Sequence, residues 1–106
     1  MTPKDVNLEK VSFKITLHAG NAKDLAHDAL GKAKEGKYQE AADLLDQAQE
    51  EYAAGHDIQS ENMSKDDPEE RVITNMLLAH AMDHLMAAKS EMRLIEEMID
   101  LYKKVD

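Results

Sequence analysis

"LLAHAMDHLMAAKSEMRLIEEMIDLYKK", residues 77–104, decides how this chain folds. No glycine or proline interrupts it, and leucine, alanine, methionine, glutamate and lysine are all strong helix formers. Traced back to residue 70, the same helix runs without a breaker for ~50 Å at about 1.5 Å per residue. Its apolar side chains fall on two stripes instead of one. Leu78, Met82, Leu85, Met92, Ile95, Ile99 and Tyr102 make the first, and Ile73, Met76, Ala87, Leu94, Met98 and Leu101 the second. A hairpin of three helices covers one stripe from within, so the other implies self-association. His80 and Asp83 fall in the gap of that second stripe, with His84 beside them. Spacings of three and four bring such residues ~5–6 Å apart at Cβ.

Two further helices precede this one. The first is expected from about Leu8 to Lys34, where Leu8, Val11, Ile15, Ala19, Ala22, Ala26, Ala29 and Ala33 step by three and four. A stripe so rich in alanine lets helix axes approach closely. Gly36, inside KEGKY (34–38), is a natural C-terminal stop. The second helix is expected to start near Tyr38 and to bury Tyr38, Ala41, Leu45, Ala48 and Tyr52, with Gly55, His56, Gln59 and Ser60 continuing that face as small or polar groups. SKDDPEE (64–70) reads as a turn in which Pro68 opens the last helix with acids at its start. The chain is thus a single all-α domain, residues 1–106, long enough for one core.

Charge and composition narrow the function. Lys plus Arg number 13 and Asp plus Glu 22, a formal charge of -9, which disfavours nucleic acid and anionic membranes as main partners. An acidic surface suits basic faces on other proteins, or simply solubility. With no cysteine, disulfides, thiolate catalysis and cysteine-zinc sites are excluded. MTPKDVNLEK lacks the apolar core of a signal peptide, and no stretch reaches ~18 apolar residues, so a cytoplasmic protein is expected.

The polar cluster admits several chemistries. Two histidines at i and i+4 can chelate one ion. The zinc-protease pattern, however, needs glutamate after the first histidine, where Ala81 stands, and Glu-x-x-His pairs for a di-iron bundle are missing. A binding scaffold is the second option, because GKAKEGKYQEAADLLDQA (31–48) looks like one tetratricopeptide hairpin or a helical trafficking domain, although it occurs once. The third is a covalent phosphoryl carrier, since neutral imidazole is nucleophilic near pH 7. Without a P-loop lysine or a kinase glycine loop, such a carrier receives phosphate from another protein. The plain structural alternative is a polar edge whose histidines bond to neighbours or to water.

ITLHAGNAKDLAHDAL (15–30), AKEGKYQEAADLL (33–45), HDIQS (56–60) and LLAHAMDHLM followed by IDLYKK go further. Together they closely resemble the enzyme IIA component of the lactose/cellobiose class of the bacterial phosphoenolpyruvate-dependent sugar phosphotransferase system, over roughly residues 10–104. The resemblance implies a homotrimer of three-helix hairpins, a nine-helix bundle. It implies that His80 takes phosphate from the phosphohistidine of HPr and passes it to a cysteine of the cognate enzyme IIB, which phosphorylates sugar at the membrane enzyme IIC. It also implies that Asp83 holds Mg2+ or another divalent cation on the trimer axis. His84, Gln59 and Ser60 are candidates for supporting the phosphate. His18, His27 and His56 are expected at the surface or its edge, and the methionines mostly in the core, with Met86 near the docking face. The sequence departs from the family in two places: Met82 stands where it usually has glutamine, and after His56 Gln59, Ser60, Glu61 and Asn62 stand where it usually has Gln-Thr followed by leucines.

Overall fold

The computed structural model describes the backbone of residues 3–61 and 68–106 and the side chains of residues 9–61 and 79–106. Three helices make up these residues, α1 (Pro3–Lys34), α2 (Tyr38–Glu61) and α3 (Pro68–Val105), with no strand among them. They form an antiparallel up-down-up bundle, so α1 and α3 run parallel, in a rod of 56 × 17 × 17 Å. The 38 residues of α3 span ~57 Å at about 1.5 Å each, so one helix sets the length of the rod.

The α1–α2 corner follows the expected chemistry. Gly36 has φ +79°, and Lys37 N donates to Lys32 O (2.9 Å) while Gly36 N donates to Ala33 O (2.9 Å). This pair of bonds is the Schellman C-cap, and the left-handed residue it requires is glycine because a Cβ is disfavoured there. The Lys37 carbonyl then accepts the first bond of α2, from Ala41 N.

α1 begins at Pro3, earlier than the expected Leu8. Proline is compatible with the first helical position, and the polar residues after it carry no breaker, only no apolar period. α3 opens at Pro68 as expected. The remainder of the expected turn, with Asn62, and the side chains of Leu8, Ile73, Met76 and Leu78 lie outside the described residues.

The core follows the stripes. On α1, Ile15, Ala19, Ala22, Ala26, Ala29 and Ala33 are all buried, against Ala41 and Ala48 of α2 and Leu85, Ala88, Met92, Ile95 and Ile99 of α3. Val11, Tyr38, Leu45 and Tyr52 pack partly buried at its margin. The three helices meet closely at Gly55, where an added Cβ would lie 3.0 Å from Leu85 Cδ2 and 3.2 Å from His18 Cβ. The second α3 stripe stays bare: Leu94 is 64%, Met98 46% and Leu101 61% exposed, and Val105 extends it at 75%. The methionines divide accordingly: Met92 is inside the core, Met86 is exposed in line with its expected place outside the core, and Met98 is exposed on the bare stripe, which corrects the expectation of core filler there. Among the described residues no helix is long and apolar enough to cross a membrane.

Candidate functional site

His80 and His84 are held by the residues that follow them. Ala81 and Leu85 are buried against α1 and α2, which fixes the backbone of this turn of α3 while both imidazoles remain exposed. The rings stand edge to face, with centroids 5.0 Å apart and planes at 87°. Asp83 lies two residues from both Ala81 and Leu85, hence on the opposite side of the helix, where it is exposed. It shares that side with Ala87, Leu94 and Leu101 at steps of four, seven and seven, so the carboxylate heads the bare stripe.

Farther along the same face, Glu91 fixes the register between α3 and α1. Its carboxylate accepts from His27 Nε2 at 3.0 Å and lies 3.7 Å from Lys23 Nζ. In parallel helices, positions eleven residues earlier on each, about three turns, return to the same face and height. That places His80 between the heights of Ser12 and Thr16, as Glu91 is flanked by Lys23 and His27. Ser12 Oγ is sealed from solvent and has no hydrogen-bond partner among the described residues. These two hydroxyls escaped the sequence reading because only the long-range contacts of Glu91 with Lys23 and His27 reveal the register.

The other expected site residues fall differently. Gln59 is buried, 7% exposed, one turn beyond Gly55, and therefore at the height of Ala81 in the antiparallel neighbour. Ser60 faces solvent. His18 is half-buried between α1 and α2, its Nδ1 2.6 Å from Glu51 Oε2. That hydrogen bond, aided by one from Asn21, holds the Glu51 carboxyl below the usual carboxylate range against a smaller opposing effect of burial. His27 and His56 are exposed, His27 on Glu91 and His56 beside the Tyr52 ring.

Chemically, the site is a pair of open imidazoles on a helical turn anchored by buried Ala81 and Leu85. Among the described residues of one chain, no three His, Cys, Asp or Glu side chains gather as a metal cage. Such a surface suits transfer of a group between a histidine and a docked partner better than enclosure of a small molecule.

Comparison with known proteins identifies the family. The family model for the lactose/cellobiose-specific IIA subunit of the phosphotransferase system matches residues 10–103. The oligo-beta-mannoside-specific EIIA component of Bacillus subtilis is 40% identical over 95 residues, covering 90% of this chain and 86% of that protein. Among solved structures, the chitobiose IIA of Escherichia coli, in its complex with HPr, superposes with a TM-score of 0.84 at 32% identity, covering 92% of this chain and 95% of that one. The cellobiose-specific enzyme IIA of Bacillus anthracis gives a TM-score of 0.77 at 34% identity, with coverage of 99% and 93%. With the fold, the exposed histidine pair and this match over nearly the whole chain in agreement, the protein belongs to the lactose/cellobiose-specific IIA family of the sugar phosphotransferase system.

Proposed function

We propose that His80 is the phosphoryl carrier, loaded by the phosphohistidine of HPr and unloaded onto a cysteine of the cognate enzyme IIB, in the uptake of a disaccharide through enzyme IIC. The observation that carries this is His80 itself: an exposed imidazole on a turn anchored by buried Ala81 and Leu85, within the region matched by the family. A lone pair on the His80 ring attacks phosphorus in line as the P–N bond of the donor breaks and its electrons return to the donor imidazole. In the second step a cysteine thiolate attacks the same phosphorus, a P–S bond forms, and the His80 P–N bond breaks. Neither step needs a further reactant, so the protein contributes alignment and hydrogen-bond donors for the equatorial oxygens.

The bare α3 stripe supports a homotrimer in which three α3 helices share an axis. Asp83 heads that stripe, so three copies of its carboxylate converge in such an assembly. Like charges that close are unfavourable unless a cation neutralises them, and an all-oxygen donor set fits Mg2+. One chain offers too few ligands, so the ion belongs to the assembly.

The test is phosphotransfer from labelled phosphoenolpyruvate through enzyme I and HPr. Wild type acquires an acid-labile, base-stable label, while His80→Gln keeps its fold and takes up none. Labelled His80→Gln together with unlabelled His84→Gln would move the carrier to His84.

A further inference from the structure

We propose that His80 and His84 form a two-point site for a divalent d-block cation of the zinc class, and that this cation and the phosphoryl group exclude one another. The exclusion rests on His80 being the carrier; the binding does not. Two imidazoles bound tetrahedrally to one ion at about 2.0–2.1 Å have their ring centres roughly 5 Å apart. The centroids of His80 and His84 are already at 5.0 Å. The rings meet edge to face at 87°, so chelation requires rotation of one ring about its Cβ–Cγ bond. That torsion has broad, shallow preferences, and both side chains are exposed. The backbone needs no adjustment, because Ala81 and Leu85 hold the turn in place.

The remaining positions of the ion go to water. Asp83, three residues from His80 and turned toward the bare stripe, forms no three-ligand cluster with the two histidines, and Glu91, next on the same face, is engaged by Lys23 and His27. The donors are therefore two neutral nitrogens, which select zinc or copper over magnesium, a cation that prefers oxygen. This separates the pair from the carboxylate site of Asp83.

Coordination and phosphorylation both draw on a lone pair of the His80 ring. A ring nitrogen that holds phosphorus cannot hold a metal, and a metal clamped between the two rings fixes His80 away from an incoming donor. By linkage, each ligand lowers the affinity for the other by the same factor.

The experiment is calorimetric titration of the metal-stripped full-length protein with Zn2+ under excess Mg2+, which occupies any carboxylate site. One ion per chain is expected, with affinity reduced about tenfold or more in both His80→Gln and His84→Gln, since loss of a ligand exceeds the 10–100-fold effects of outer-shell changes. His56→Gln, at an exposed histidine elsewhere, should bind like wild type. Imidazole nitrogen resonances should shift at residues 80 and 84 only. Zinc should also slow phosphoryl acceptance by wild type, with EDTA restoring it, and should slow His84→Gln far less. Undiminished binding by either histidine variant, or loss of binding in His56→Gln, overturns the site. If His80→Gln still accepts phosphate but loses zinc, the carrier assignment fails and the metal site stands.

Discussion

The two apolar faces of α3 share nearly the same residue types and have opposite surroundings. Leu85, Met92, Ile95 and Ile99 are at most 4% exposed, whereas Leu94, Leu101 and Val105 exceed 60%. Sequence periodicity gives both faces equal weight; only topology assigns them. Two partner helices cover roughly half the circumference of a third, so one chain accounts for one face. The inner face stabilises the hairpin at any concentration, while the outer face contributes only when another surface meets it. Folding of the chain thus depends on one set of residues along this helix, and the proposed assembly on another.

The comparison breaks most visibly on the outer face. Leu94→Glu with Leu101→Glu should reduce a species of about three times 11.9 kDa to a single chain in light scattering, leaving the helical circular dichroism intact. A persistent trimer would show that this stripe is not the seam. On the inner face, Leu85→Ala should cost about 2–5 kcal/mol of chain stability through the cavity it leaves, measured by denaturant unfolding and independent of protein concentration after allowance for assembly. A strictly concentration-dependent loss would mean that the two faces are not separable.

Asp83 tests the polar head of the outer stripe. Wild-type trimer should melt at higher temperature with added magnesium and lower with chelator, whereas Asp83→Leu should ignore both and match or exceed the stability of the chelated wild type, since a leucine continues the apolar row. Wild type indifferent to both reagents removes the metal from the axis. The smallest effect belongs to the α1–α2 side. Because the folded-state pKa of Glu51 is depressed, its contribution is present above the ordinary carboxylate pKa and is lost as pH falls through the lower folded value. Glu51→Gln should therefore flatten the acid limb of the stability curve by less than ~1 kcal/mol, as expected of a pair this close to solvent. An unchanged acid limb would assign that limb to other carboxylates.

These contrasts show what the sequence could carry. The helix ends at Lys34 and Pro68 were legible because a glycine and a proline mark them chemically. The α1 stripe was legible because its alanines repeat at helical spacing. His80, His84 and Asp83 stood out as polar interruptions of an apolar face, and all three are exposed. Gln59 was harder to place: its burial depends on the close approach of three helices at Gly55, four residues away, and nothing in the local pattern announces it. The His18–Glu51 and His27–Glu91 contacts join residues 33 and 64 positions apart, and only the contacts of Glu91 with Lys23 and His27 bring Ser12 and Thr16 to the height of His80. Local spacing encodes the faces of helices; their relative phase emerges when the faces pack.

The alanine ladder of α1 has a consequence for evolution. A face of Ala19, Ala22, Ala26, Ala29 and Ala33 has no rotamers to rearrange, so it cannot absorb a neighbour's enlargement by repacking. A larger side chain there must push whole helices apart. The buried α3 stripe, built from flexible leucine, isoleucine and methionine, can exchange one residue for another of similar volume. Drift within this lineage is therefore expected to be lopsided, with α3 free to vary in the shape of its core residues and α1 confined to the smallest ones.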